Sequence, residues 1–364
     1  AAQTVLLGVL ENGRPQVNEQ GADVGGWRTM VQAIDVRTLG LGGDSEVAFD
    51  IKGVATVGAR RSVPVSLIAS RFRSVIAQLE DDISDAESGS MAGQFVMLPL
   101  GRVAGNVQPA GLSKREQELL ESITTEPLAL RKVAAGSGAH RTLETLSRKG
   151  HVQLAGFTPS DAAHVLKLQD NWSREAAVLA ARLLVRNVLQ KPPSDELVTQ
   201  LSQQVWEETV RLTGRAVLET ALGHHAIEPG GAGGLIDVVC RGEHRRSLAR
   251  VSISPEVPVV AVGGPVKIYY PEVGRRLECK MVFPQSFEVA NAVGAATGMI
   301  ARTVTVEVNG NGAGVFRVHG PQSVSQFASA AAAIDEASRL ARETAGAQVN
   351  AMGGGQVSFA EDIQ

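Results

Sequence analysis

The sequence predicts an α/β protein with a helical insert. Strand-like runs close on glycine-rich turns in two places, Asp23–Val47 and Val259–Gly298. Strand and helix patterns alternate through the last third of the chain. The composition favours Ala, Val, Leu and Gly, with 39 glycines in 364 residues, as tight strand–helix turns require.

Composition sets the outer bounds. A chain of 364 residues that is 44% hydrophobic can bury a core and suggests two or three subdomains. A net charge of −3 leaves no global basic footprint for nucleic acid. Cys240 and Cys279 form neither a disulfide framework nor a zinc spacing, so a reducing cytoplasm is the expected compartment. No apolar run approaches the roughly 20 residues that span a bilayer, which argues against membrane insertion. The start, AAQTVLLGVLENG, has no initiator Met and no basic signal-peptide region, so the chain reads as cut from something longer.

Segments 1–112 and 228–364 carry the α/β patterns. A hairpin is expected across Asn12-Gly13, then strands over Glu46–Ile51 and within Gly53–Ala69, a helix over Arg71–Asp82 and a strand over Phe95–Leu100. Residues 113–157 change character. Ser113 caps a helix over Lys114–Ile123, with Glu116 completing a capping box. Short helices follow at Leu128–Ala134 and Arg141–Arg148, then a strand at His151–Ala155, an order that resembles a winged-helix module. Residues 158–227 read as helices over Ser160–Leu168, Ser173–Leu189 and Ser194–Leu222, with Ser160 as the first cap.

In the last segment, Leu235–Val239 and Val257–Val262 read as buried strands. A helix over Val266–Leu277 is expected to break at Pro271. A strand at Lys280–Phe283, a helix over Phe287–Ile300, a hairpin across Asn309–Gly312, a helix over Val324–Ala345 and a closing strand at Gln356–Phe359 complete the pattern.

The motifs each admit a functional and a structural role. In LGLGGDSEV (39–47), glycines let backbone N–H groups approach a phosphate, Asp44 can reach a metal ion, and Ser45 can donate to a phosphate. The same residues also suit a capped tight turn. VVAVGG (259–264) is a strand ending in paired glycines against which a base or ribose can lie, or a plain strand–helix turn. Ala290, Gly294 and Gly298 recur every four residues, as in a hinge helix or a tightly packed core helix; spacing alone favours the core helix. His224, His225, Cys240 and His244 lie close in sequence, but their spacing favours surface histidines over a metal site. Asp161 and His164 lie one helical turn apart in a segment that reads first as a helix start, with a polar site as the secondary reading. The insert mixes Arg131, Arg141 and Arg148 with Glu116, Glu121 and Glu144, so it reads as a structural or interaction insert rather than a DNA reader.

Taken in order, VGGWRTMVQAIDVRTLGLGGDSEV, GFTPSDAAHVL, VAVGGP and EVANAVGAATG resemble the hydantoinase A/oxoprolinase family. That resemblance implies an actin/sugar-kinase-like, ribonuclease-H-like lobe. It implies an ATP-dependent hydrolase of cyclic amides, which activates a ring carbonyl by phosphoryl transfer with ATP and Mg²⁺. Carried over, Asp44 and Ser45 are catalytic, with Asp44 also the metal ligand. Gly42, Gly43, Gly263, Gly264, Glu288 and Asn291 are cofactor-binding, the last two on a helix joining the lobes. The family also has phosphate loops of the type G-G-T-[ST]-T-D, where this chain reads Ala1-Ala2-Gln3-Thr4-Val5-Leu6. The expectation is therefore a C-terminal portion that works with a missing N-terminal lobe or partner subunit on a small cyclic amide. Whether it forms an oligomer is left open. The competing expectation is a non-catalytic scaffold or regulatory protein that kept the fold and lost the phosphate loops.

Overall fold

A ribbon of short antiparallel strands opens the chain. Strands β1 (Val5–Gly8), β2 (Leu10–Glu11), β3 (Arg14–Pro15), β4 (Val17–Asn18), β5 (Asp23–Val24), β6 (Trp27–Arg28), β7 (Ala33–Ile34) and β8 (Val36–Leu39) pair as β1 with β8, β2 with β3, β4 with β7 and β5 with β6. The turn between β2 and β3 puts both Asn12 and Gly13 at positive φ, 50° and 78°, as a two-residue hairpin turn of the expected kind requires. The computed structural model describes residues 5–18, 21, 23–24, 27–28, 33–85, 89–99, 111–134, 138–223, 233–242, 250–298, 302–311, 314–320 and 323–363.

The fold is mixed α/β, in two compact units, Ala1–Glu288 and Val289–Gln364. In the first unit the ribbon leads into the hairpin β9 (Ser45–Phe49) and β10 (Ala55–Arg61), then β11 (Val63–Pro64). Helices α1 (Val65–Arg71) and α2 (Ser74–Ser84) follow. Next come β12 (Phe95–Met97), α3 (Lys114–Glu121), β13 (Leu128–Ala129), α4 (Leu130–Val133), α5 (Ala139–Arg148) and β14 (Gln153–Gly156). One four-stranded sheet has the order β11-β14-β12-β13, with β11 parallel to β14 and the other pairs antiparallel.

The insert has its three expected short helices and closing strand, with an additional strand, β13, where the second helix is expected to begin; together with β12 they close over a core of Val96, Leu98, Ile123, Leu130, Leu143, Leu146 and Val152. The Ser113 capping box is formed, with the Ser113 amide donating to Glu116 at 2.8 Å. Arg60 on β10 donates to Glu144 on α5 at 2.8 Å. Arg131 on α4 pairs with the buried Asp82 of α2. The insert is thus held to the body by charge as well as by packing.

Helices α6 (Pro159–Val165), α7 (Arg174–Leu189) and α8 (Asp195–Gly223) form the centre. Helix α8 runs roughly 43 Å and serves two cores. Its first half packs Val198, Leu201 and Val205 into a core shared with α1, α2, α6 and α7. Its second half packs Val210, Val217 and Leu218 with α9 (Gly233–Arg241), β15 (Val259–Val260) and α10 (Val266–Leu277). Strand β15 pairs in parallel with β16 (Met281–Val282).

Several expected elements differ. Leu235–Val239 is helical within α9, not a strand. Ile236, Val239 and Cys240 are buried at helical spacing against α8, a pattern that a short apolar run does not distinguish from a strand. Pro271 lies inside α10 without ending it. Tyr269, Val273 and Leu277 are buried in the core with α8, and Trp206 donates to the Ile268 carbonyl at 3.2 Å. That packing outweighs the one hydrogen bond a proline removes. The expected Arg71–Asp82 helix begins at Ser74, and α1 occupies part of the expected strand region. Residues 224–232, with His224 and His225, and His244 lie outside the described residues.

In the second unit, β17 (Glu307–Gly310), β18 (Phe316–His319) and β19 (Val324–Phe327) form an antiparallel sheet. Helix α12 (Ala330–Ala351) packs on it through Ala333 and Ala337. The long helix therefore starts at Ser329, whose Oγ accepts the Ala332 amide, and not at Val324. Gln356–Phe359 is not a strand; the Phe359 ring lies beside Gly346 of α12. Helix α11 (Ala290–Thr297) has no buried residue, so the four-residue spacing of small side chains does not mark a core helix.

Candidate functional site

The glycine loop between β8 and β9 is built by short-range bonds that only a tight turn permits. The Ser45 amide donates to the Gly42 carbonyl at 3.1 Å, and the Gly42 amide donates to Ser45 Oγ at 3.0 Å. The Ser45 hydroxyl therefore closes its own loop. Asp44 and Ser45 are both buried, at 8% and 3% exposure. Arg61, at the end of β10 and half-exposed, donates to Asp44 Oδ2 from Nε at 2.7 Å and also from a terminal nitrogen. Asp44 Oδ1 has no protein partner.

Two backbone bonds carry the loop to the body. The Ser62 amide donates to the Asp44 carbonyl, and the Ser160 amide donates to the Gly43 carbonyl, each at 2.9 Å. Ser160 lies in the first turn of α6, just past β14, whereas Ser62 follows the β9–β10 hairpin and precedes β11. The loop is thus tied near the carboxyl end of β14, the end of a parallel strand where α/β sheets characteristically place ligands, and at the amino end of β11.

Asp161 holds this junction together. Its Oδ1 accepts the Ser66 amide at 2.7 Å. Its Oδ2 accepts the amides of Val65 at 3.2 Å and Thr158 at 2.9 Å, and the Thr158 hydroxyl at 2.9 Å. Full burial pushes the Asp161 carboxyl above the ordinary carboxylate range, against the pull of these bonds. The cap of α6 is Thr158, not Ser160, with Pro159 in the first helical position. The signal was present in the sequence: Thr158 with Asp161 three residues on is a capping box.

His164 is fully buried and structural. Its Nδ1 lies 2.8 Å from the Ser160 carbonyl, and its Nε2 accepts the Trp172 amide at 3.1 Å. Gln169 Nε2 also lies 2.9 Å from Nδ1 of the His164 ring. The Trp172 ring stacks on it at 5.5 Å.

The second glycine turn follows β15. Gly263 has φ 123°, a conformation suited to glycine, and its amide donates to the Phe287 carbonyl at 2.7 Å. A Cβ on Gly264 would meet nothing within 4 Å. One turn into α10, Tyr269 is buried with no protein partner for its hydroxyl. Burial raises its phenol, and the charge of Asp161 adds to that shift.

The structure thus gathers Gly42, Gly43, Asp44 and Ser45 with Arg61 and Asp161, and sets Gly263 and Gly264 on a separate strand–helix turn. Glu288, in a 3₁₀ turn over Phe287–Val289, is exposed in the first unit. Asn291, on α11, is exposed in the second. Sequence reasoning missed Arg61, whose role depends on the β9–β10 hairpin folding it back onto Asp44.

Asp44 Oδ1 can supply one ligand to Mg²⁺, an ion that commonly takes one or two carboxylates and completes its shell with water and phosphate. Among the described residues no three His, Cys, Asp or Glu side chains group to hold a metal ion. Arg61 and Asp44 form an ion pair at the loop, one charge of each sign. Cys240 is buried against α8, and burial pushes its thiol up to about 12, so it is inert. Among the described residues no helix is long and apolar enough to cross a membrane. No protein-family model, curated protein or solved structure matches this chain.

Proposed function

We propose that this chain is the nucleotide-side part of an ATP-dependent cyclic amide hydrolase of the hydantoinase/oxoprolinase type, on an actin/sugar-kinase-like framework. The observation that carries the proposal is the Gly42–Ser45 loop tied beside the passage from β14 into α6, with Arg61 held beside it by Asp44. Arg61 would meet a phosphate, the loop would approach it closely, and Gly263 and Gly264 would lie against adenosine. Asp44 orients Arg61 and offers Oδ1 to Mg²⁺, which would neutralise phosphate charge. Ser45 shapes the loop, and Glu288 and Asn291 stay peripheral cofactor contacts. The phosphate loops would come from a partner lobe or subunit in the same cytoplasmic setting.

Calorimetric titration of the chain with ATP and Mg²⁺, for wild type and Arg61→Gln, tests the proposal. Binding that weakens about tenfold in Arg61→Gln is expected, the scale of a lost charge-assisted bond. Absence of binding to wild type, with and without the partner lobe, rejects it.

One observation favours the non-catalytic alternative. Asp161 is engaged by four donors, and Asp44 is paired with Arg61 through Oδ2 while its free Oδ1 is buried, so neither carboxylate is exposed as a general base. Nucleotide binding without hydantoin or oxoproline turnover in the reassembled protein would select that alternative.

A further inference from the structure

A chain of charges runs from α9 across α8 to the strand that delivers the glycine loop. Glu208 accepts Arg211 Nε at 2.7 Å, and Arg211 donates to Asp237 on α9 at 2.5 Å. Arg215 approaches Asp237 at 3.4 Å and donates to Glu219 at 2.6 Å. Glu219 then accepts Arg37 of β8 at 2.5 Å. The central members are partly buried: Arg211 and Glu219 each have 15% side-chain exposure. A network of this kind holds geometry better than an isolated surface pair. Strand β8 ends at Leu39, and the loop begins at the next residue.

We propose that this network is an electrostatic clamp that sets the position of the Gly40–Ser45 loop through Arg37, so that the state of α9 governs how firmly the loop is held. Two features support a clamp over a decorative surface pair. The β1–β8 ribbon adds little apolar anchorage of its own: Leu7 packs against the core around α8, whereas Leu6 and Leu10 are exposed. The loop's other long-range polar ties, from Ser62, Ser160 and Arg61, reach only Gly43 and Asp44; on the β8 side, beside the buried Leu41 and the Val5–Leu39 pairing, Arg37 supplies the ion pair that links β8 to α8. The clamp concerns the loop itself and does not depend on the proposed nucleotide chemistry.

Hydrogen exchange of the full chain, read at the bonded amides of Leu41, Gly42 and Ser45, tests the clamp without any ligand. In Arg37→Gln these amides should exchange roughly two- to fivefold faster, the scale of one partly exposed ion pair. Asp237→Asn should produce a smaller increase at the same amides, although it lies on another helix. In wild type, salt should speed loop exchange, and this salt dependence should shrink in Arg37→Gln. Unchanged loop exchange in Arg37→Gln overturns the clamp. So does an effect of Arg37→Gln with none from Asp237→Asn, because the network beyond Glu219 would then not reach the loop. Exchange that rises equally across β9, β10 and α8 overturns it too, as that pattern marks general destabilisation.

Discussion

The Asp161 carboxylate accepts the Ser66 amide at 2.7 Å, joining the start of α6 to the start of α1 across 95 residues. One side chain thereby orders two strand–helix junctions, and through the neighbouring Ser160 amide it also fixes the glycine loop.

Replacing Asp161 with Asn should therefore be costly. The amide nitrogen of Asn would face N–H donors on at least one side, leaving buried groups unpaired. A loss of about 3 kcal/mol is expected, measured as a shift in the urea midpoint at constant slope. A loss below about 1 kcal/mol would show that the junction does not rest on this residue.

Arg131→Ala should destabilise the protein far more than Arg60→Gln, although both arginines tie the insert to the body. Arg131 pairs with Asp82, whose side chain is 1% exposed, and removing it leaves a buried carboxylate with Gly93 as its backbone donor. That should cost about 3 kcal/mol. Arg60 is 63% exposed, and its loss should cost under about 1 kcal/mol. Thermal melts of the two variants compare them directly.

Acid should loosen α3 early. Lys149, with the Ser113 amide and hydroxyl, holds the Glu116 carboxyl down to about 2 from an ordinary 4.5. Its folded value lies below its unfolded one, so the stabilisation is complete above pH 4.5 and is lost as pH falls from there toward 2. Glu116→Gln should flatten that part of the acid titration, followed by exchange at the first-turn amides of α3.

Gly274 and Gly264 should separate packing from binding. A Cβ at Gly274 would lie 2.6 Å from Met281 Cγ and 3.3 Å from the Cys279 carbonyl, so Gly274→Ala should cost about 2 kcal/mol. At Gly264 the space is open, and Gly264→Ala should change stability by under about 0.5 kcal/mol. If the turn faces adenosine, the same change should weaken ATP binding in the titration described above.

Some features were legible because they are local. The Asn12-Gly13 turn, the Ser113 capping box and the α7 and α8 helices follow from residues within a few positions of each other, where backbone sterics and helical periodicity act. The glycine loop was legible as a turn for the same reason. Elements of short apolar sequence were not. Leu235–Val239 became helix because α8 offers a helix-spaced surface, and Pro271 stayed helical because packing on α8 outweighed one lost bond.

By itself the sequence determined the α/β character, the order of the insert and the position of the Gly42–Ser45 turn, because each arises from contacts between near neighbours. Only the tertiary structure decided that Arg61 would neutralise Asp44, that Asp161 would pin two helices and that Arg37 would reach Glu219. Those pairs lie 17, 95 and 182 residues apart, and only the folded core sets which distant charges meet.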